Sequence, residues 1–467
     1  MAICDMTGVK FAVKSFGCQM NKLDTSLVTA ALKDAGCVLT DSVKQADAVL
    51  INTCSVREHA EQRVISHLGR LKHIRKTRPE LIVAVIGCMA QRLGAELLER
   101  HNVDLVCGPA QIPQITQLLQ DARKTKQKII AVTEKIRKNP ESTALEEFES
   151  IHSAADRAVP GQAFVRVMRG CDNFCSYCIV PYVRGPEISR PPNAVIDQIK
   201  KLAQTGVKLV TLLGQRVNAY CYVAGEKTCC LADLLEMASR IDAIKWIRFV
   251  TSYPSETFFH PILRAMRDLP KVCPYLHIPA QSGADRILKA MNRRYTAAQY
   301  LHMLARAREI VPGLEIAGDF IVGFPGETDQ DFDATVELVK KARYKNAFIF
   351  KYSPRPVTHA ERNLADNVPV DVKKQRNIEL LAVQERISAA LARKFLNKRL
   401  TVLVEGLSKK PHLNRSEEPE SPQLLGRTEH DWIVVFNGPE ELTGSFAEVK
   451  ITNTTPLTLF GQLLPQG

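Results

Sequence analysis

The sequence predicts an α/β chain of three domains: an N-terminal open parallel α/β sheet, a central (β/α)6 partial barrel and a C-terminal small all-β barrel of OB-like kind. Residues 10 to 110 alternate short apolar runs with helix-like segments. The same alternation resumes near residue 160 in six units spaced about 25 to 40 residues apart, each long enough for a strand and its return helix. Beyond residue 396 the apolar runs crowd together with only turn residues between them, a spacing that leaves no room for helices.

In the first domain, residues 9–125, the strands are KFAVKSFG, ADAVLINT and LIVAVIGC. The intervening DTSLVTAALKDAG has an acidic opening and a closing glycine that suit a helix. Each strand runs into a cysteine: Cys18, Cys54 and Cys88. Side chains just past the carboxyl ends of parallel strands gather in one crevice, so three thiols from remote positions can meet there. Residues 126–156 carry charge, proline and serine without periodicity and are expected to be a linker.

The partial barrel, residues 157–395, has strands at AFVRVM, VKLVTLLG, WIRFVT, PYLHIP, EIAGDFIVG and AFIFKYS, with its active site expected at their carboxyl ends. The segment 371–400 sets Ile378, Leu381, Ile387, Leu391 and Phe395 at helical spacing and predicts a long helix packed on the barrel through that stripe. In the last domain, residues 396–466, the runs LTVLVEGL, QLLGRTEH, DWIVVFNG, SFAEVKIT and PLTLFGQLL predict an antiparallel barrel of about five strands.

The 467 residues are 45% hydrophobic with mixed charge, which excludes wholesale disorder and disulfide scaffolds. The longest apolar run, LIVAVIGCMA, falls short of the roughly 20 residues a membrane span needs, and the start lacks the pattern of a secretory signal. A cytoplasmic protein with no membrane partner is expected. The net charge of +13 favours a polyanion through counterion release. Thirteen cysteines without a secretory signal favour reduced thiols and metal ligands over structural disulfides.

In RGCDNFCSYCIVPYVRG, Cys171, Cys175 and Cys178 form a C-x-x-x-C-x-x-C triplet. Structural zinc is normally closed by four ligands, and no fourth stands nearby. An iron–sulfur cluster is held by thiolates and takes three readily, leaving one iron for a small molecule. The triplet after the first strand of a six-unit barrel resembles the radical S-adenosylmethionine superfamily. SFGCQMNKLDT, NTCSVREHAEQ, GCMAQR, LLGQRVNAY, PAQSGADRILKAMNRRYT, DFIVGFPGET and FKYSPRP, with the triplet and in this order, resemble the methylthiotransferases of that superfamily, in the MiaB-type branch that acts on tRNA.

The resemblance implies that Cys171, Cys175 and Cys178 bind a 4Fe–4S cluster that chelates S-adenosylmethionine, and that Cys18, Cys54 and Cys88 bind a second 4Fe–4S cluster. It implies cofactor contacts at Gly214, Gln215, Gln281, Ser282, Asp319 and Gly323, although Gly323 equally suits a turn. His277 reads as a packed residue rather than a ligand. The terminal barrel resembles a TRAM domain. The implied reaction places a methylthio group on C2 of N6-isopentenyladenosine in the anticodon loop of tRNA. It needs an electron donor such as flavodoxin or ferredoxin and a sulfur or cluster donor, and a monomer is expected. Branches that modify a ribosomal-protein aspartate or a threonylcarbamoyladenosine, and a non-catalytic iron–sulfur RNA-binding protein, are the rival readings.

Three features depart from the family pattern: the run RGPEIS at 184–189, Val357 where glycine is expected, and Arg216 where asparagine is common. None is expected to touch a cluster ligand. Cys4, Cys37, Cys107, Cys221, Cys229, Cys230 and Cys273 match no ligand motif and read as passengers, with Cys229 and Cys230 in a loop.

Overall fold

The computed structural model describes residues 6–55, 58–134, 136, 143–152, 159–409 and 421–465. Cys4 and parts of the expected linker (135, 137–142 and 153–156) lie outside them. The chain divides into two compact units. The first runs to Ala158 and adds Arg166–Phe174 and Cys178–Gln198; the second comprises Val159–Val165, Cys175–Tyr177 and Ile199–Gly467.

The first unit is built on a six-stranded sheet of β1 (Lys10–Phe16), β2 (Val38–Leu39), β3 (Ala48–Thr53), β4 (Ile82–Gly87), β5 (Leu105–Cys107) and β6 (Ile129–Ala131), in the order β2-β1-β3-β4-β5-β6. Every neighbouring pair is parallel. Both β3 and β4 are buried along their whole length, as strands covered by helices on both faces must be. Val49, Ile51, Val83 and Val85 pack with Val64, Leu68 and Leu71 of the helix Glu58–Ile74. Each fully buried aliphatic side chain of this kind contributes about 1.5–3 kcal/mol. Within the expected linker, β6 extends the sheet and Thr143–His152 is helical.

Next along the chain, β7 (Gln162–Arg166) opens the partial barrel, while the short antiparallel pair β8 (Met168–Arg169) and β9 (Ile188–Ser189) belongs to the first unit. The second unit continues with β10 (Leu209–Leu213), the hairpin β11 (Cys221–Ala224) and β12 (Lys227–Cys230), then β13 (Trp246–Val250), β14 (Tyr275–His277), β15 (Glu315–Val322) and β16 (Asn346–Lys351). The triads β13-β10-β7 and β14-β15-β16 are linked by a parallel bridge from Ile247 to Val272 and by the Ser252 amide donating to the His277 carbonyl at 3.0 Å. The six strands of the partial barrel thus follow one another in chain order. Cys229 and Cys230 lie on β12, not in a loop.

The long helix is present at Val370–Ala392, and the predicted stripe holds in its second half only: Leu391 is buried, and Ile387 and Phe395 pack against the core of the terminal barrel. Ile378 is 58% exposed and Leu381 43%. In place of these two the helix buries Lys373, Arg376, Leu380, Val383, Gln384 and Ser388. Its buried polar side chains each make at least one hydrogen bond, although Arg376 Nε and Gln384 Oε1 meet no partner among the described residues. Arg376 bonds Glu327 and Asp329, Gln384 donates to the Tyr344 carbonyl at 2.8 Å, and Ser388 donates to the Lys345 carbonyl at 2.7 Å.

The chain ends in a closed barrel of β17 (Arg399–Leu407), β18 (Gln423–Arg427), β19 (Ile433–Asn437), β20 (Phe446–Thr454) and β21 (Thr458–Leu463), ordered β17-β18-β19-β21-β20. Its core is Trp432, Val402, Val404, Phe436 and Val449. It is not wholly antiparallel: β19 pairs parallel with β21. Because β20 hairpins with β21 and returns to β17, closing the barrel leaves β21 beside β19 in the same direction.

Candidate metal centres and cofactor face

In the first unit β1, β3 and β4 are adjacent and in register, Phe16 opposite Thr53 and Thr53 opposite Gly87, so their carboxyl ends line up. Cys18 stands at the start of the helix Gln19–Asp34, Cys54 directly follows β3, and Cys88 opens the helix Cys88–Leu93. A side chain at Gly17 would meet Asn21 and, at 2.8 Å, the Cys54 Cβ; at Gly87, which has φ +94°, it would meet the Asn52 amide oxygen at 2.6 Å. Both glycines therefore let the strands bring their cysteines close. Beneath them the fully buried Asn21 and Asn52 bond each other at 3.0 Å, and the Asn21 amide oxygen accepts from the Cys18 thiol at 3.3 Å.

The three thiols interact. A hydrogen bond from Cys54, with help from Asn21 and the Arg184 charge, outweighs burial and lowers the Cys18 thiol to about 6. Burial pushes the Cys88 thiol up, against the pull of Arg184. Arg184 Nε–H donates to Cys88 Sγ at 3.1 Å, and its Nη2 donates to Asp24 Oδ2 at 2.8 Å. Asp24, fully buried, also accepts from Arg166 Nη2 at 2.6 Å. Arg166 pairs with Glu149, and Arg190 with Glu149 and Glu146, so an alternating ladder of buried charges backs the thiols. Contrary to the sequence expectation, the segment 184–189 does reach a candidate ligand. Arg184 has no spacing signal, because Asp24 and Cys88 are far from it in sequence.

Cys171 and Cys178 fall in the first unit and Cys175 in the second; all three are half-buried. Gly170, at φ +74°, has no room for a Cβ against the Pro186 carbonyl, and the Cys171 amide donates to the Gly185 carbonyl at 3.2 Å. Phe174 has φ 47°, so the loop turns sharply between the first two cysteines. In the second unit Arg293 places Nη1 3.5 Å from Cys175 Sγ, donates to the Pro279 carbonyl at 2.9 Å and lies over the Tyr253 ring at 4.4 Å. Arg293 is a second residue that motif spacing did not single out.

Among the described residues no three His, Cys, Asp or Glu side chains converge as one metal ion would require. Three thiolates holding a cube of four irons each take a different iron, so they ring a volume rather than a point. The Cys18, Cys54 and Cys88 set, sulfur-only and faced by a guanidinium, fits such a group.

At the carboxyl ends of the barrel strands, Gly214 and Gln215 follow β10 directly, and the buried Gln215 Oε1 meets no hydrogen-bond partner among the described residues. Ser252 Oγ, just past β13, is likewise buried and without a partner among the described residues. Thr251 and Gln281 hold φ values of 72° and 75°, a conformation non-glycine residues rarely adopt. Gln281 is fixed to β15 by its amide donating to the Asp319 carbonyl at 2.8 Å. Ser282 Oγ is engaged with Thr335 at 3.3 Å and accepts from the Ala284 amide at 3.2 Å. Asp319 sits on β15 and pairs with His277 Nε2 at 3.1 Å, which gives the histidine its partner. Gly323 has φ +70°, and a Cβ there would strike the Lys373 side chain, so the turn by itself accounts for the glycine.

Residues 10–108 match the family described as Uncharacterized protein family UPF0004, residues 165–339 the radical SAM superfamily, and residues 393–464 the TRAM domain. Over 97% of its length the chain is 42% identical to the tRNA-2-methylthio-N6-dimethylallyladenosine synthase of Rhodopirellula baltica, covering 95% of that protein. It is 40% identical to the synthase of the same name from Polynucleobacter asymbioticus, covering 97% of this chain and 98% of that one. The chain belongs to the tRNA-2-methylthio-N6-dimethylallyladenosine synthase family.

As a member of that family it is a radical S-adenosylmethionine enzyme and a transferase. Among solved structures, the radical S-adenosylmethionine methyltransferase TsrM of Kitasatospora setae aligns with a TM-score of 0.50 and 15% identity over 76% of this chain and 77% of its own, a likeness of fold. The family departure at Val357 has a structural cost here: this β-branched residue holds φ 69°. Among the described residues of this synthase-family chain no helix is long and apolar enough to cross a membrane.

Proposed function

We propose that this chain transfers a methylthio group to C2 of N6-isopentenyladenosine at the base immediately 3′ of the anticodon in tRNA. The observation that carries the reading is near-full-length similarity to synthases of that modification, joined to the meeting of Cys18, Cys54 and Cys88 at the ends of three strands. Cys18, Cys54 and Cys88 hold one 4Fe–4S cluster, and Cys171, Cys175 and Cys178 hold the other. When bound, the clusters and S-adenosylmethionine supply one-electron chemistry and sulfur, which no side chain offers an unactivated aromatic carbon.

The remaining work belongs to this chain's own residues. Arg184 holds the Cys88 sulfur by a charged hydrogen bond, and Arg293 does the same for Cys175. Gln215, whose buried amide oxygen lacks a donor among the described residues, is suited to an N–H of the cofactor, with Gly214, Gln281, Ser282, Asp319 and Gly323 as further cofactor contacts. The terminal barrel and the surplus of basic residues grip tRNA backbone, and the target base is splayed from its loop to be reached. The reading takes residues 9–125, 157–395 and 396–466 as its three domains, acting as a cytoplasmic monomer with a flavodoxin or ferredoxin as electron donor and a separate sulfur or cluster donor.

Mass spectrometry of nucleosides after incubating the reduced, iron-loaded chain with isopentenylated tRNA tests it. The methylthio product is expected from that tRNA and none from the ribosomal-protein aspartate; the reverse would move the chain to the other branch. Replacing Cys171, Cys175 and Cys178 by alanine should lower bound iron from about eight to about four per chain and abolish S-adenosylmethionine cleavage.

A further inference from the structure

The hairpin β11–β12 carries three cysteines that the proposed reaction does not use. It leaves the turn that follows Gln215 and leads into the helix Leu231–Ser239. Its register pairs Ala224 with Lys227, Val223 with Thr228, Tyr222 with Cys229 and Cys221 with Cys230. The Ala224–Lys227 pair encloses only Gly225 and Glu226, so its ladder bonds can run only between those two residues themselves. Hydrogen-bonded and non-hydrogen-bonded pairs alternate along antiparallel strands. Cys221 and Cys230 are therefore a non-hydrogen-bonded pair, the kind whose side chains lie closest.

In such a pair the Cα atoms are about 4.5 Å apart, inside the roughly 4.4–6.8 Å range that a disulfide spans. Side chains directly opposite share a face of the hairpin, and Cys229, one residue away, turns to the other face. Cys221 is exposed and Cys230 half-buried, so one thiol is open to a reagent and the second waits beside it. We propose that Cys221 and Cys230 are a redox-active dithiol, a modification site that a small-molecule disulfide closes into a cross-strand disulfide.

The step balances. The Cys221 thiolate attacks oxidised glutathione, forming a mixed disulfide and releasing one reduced glutathione. Cys230 then loses its proton to solvent and displaces the second glutathione, so two protein thiols are oxidised as one glutathione disulfide is reduced. Burial pushes the Cys230 thiol up, so its thiolate is a poorly stabilised product of re-opening and the closed form resists reduction. The inference does not depend on the methylthiotransferase reading.

The test uses the full-length, iron-loaded chain kept without oxygen, exposed to oxidised glutathione, capped with N-ethylmaleimide and digested with trypsin. Lys227 lies between the two cysteines, so cleavage leaves them on separate peptides that only a disulfide joins. A linked pair is expected in the unsubstituted chain and in Cys229→Ser, with slowed amide exchange across residues 221–230. Cys230→Ser should instead accumulate glutathione on Cys221. A lasting mixed disulfide at Cys221 in the unsubstituted chain, a link that disappears in Cys229→Ser, or no reaction at Cys221 would each overturn the proposal.

Discussion

Arg184 shows what a single side chain settles and what a motif conceals. The sequence announces Cys18, Cys54 and Cys88, because each ends an apolar run that must be a strand. It is silent about the arginine that donates to Cys88 and to Asp24, since both partners come from chain far upstream. Arg184→Ala leaves a buried carboxylate short of one cation and should cost about 3 kcal/mol. Iron and sulfide determination beside thermal unfolding should show loss of the iron proposed at Cys18, Cys54 and Cys88, with the share proposed for the Cys171 triplet retained. Val357 is the opposite case, legible as a departure from the family's glycine but not as strain until its backbone is seen. Val357→Gly removes a left-handed β-branched residue, and about 1 kcal/mol of stabilisation is expected. Calorimetry should place its unfolding midpoint above the parent's, and Val357→Ile should give no gain.

At the level of elements, strands were read well wherever both faces are apolar, as in β3 and β4, because burial on both sides leaves an uninterrupted run. The helix Val370–Ala392 reads as a helix, and its packing stripe is right at Ile387, Leu391 and Phe395 but wrong at Ile378 and Leu381. Apolar periodicity looks for a greasy stripe, and this helix also buries arginine, glutamine and serine that bond Glu327 and backbone carbonyls of other elements. Ile378→Lys should change stability by less than about 0.5 kcal/mol, whereas Arg376→Ala strands Glu327 and should cost about 3 kcal/mol. Denaturant titration of the two variants separates the two faces directly. The parallel β19–β21 pair was illegible for another reason: short runs between turns reveal that a barrel closes, not which strand lies beside which.

Across the second unit as a whole, Asp431 joins the terminal barrel to the partial barrel. Its carboxylate meets Arg248 at 3.1 Å, Arg427 at 3.0 Å and Lys345 at 3.7 Å. Burial alone would raise its pKa, yet Lys345, Arg248 and Arg427 together hold it at about 2. Because the folded value lies below the ordinary 3.8, the stabilisation is fully present above about pH 4 and is lost as pH falls towards 2. Acid titration followed by circular dichroism should show that loss, and Asp431→Asn should flatten this part of the profile while lowering stability at neutral pH. The ladder from Arg184 through Asp24, Arg166 and Glu149 to Arg190 has a historical consequence. Each acidic residue there answers to two cations, so any one replacement is tolerated only if a neighbour changes with it. These positions should drift among relatives as a block, with strong epistasis, while the surface around them diverges freely.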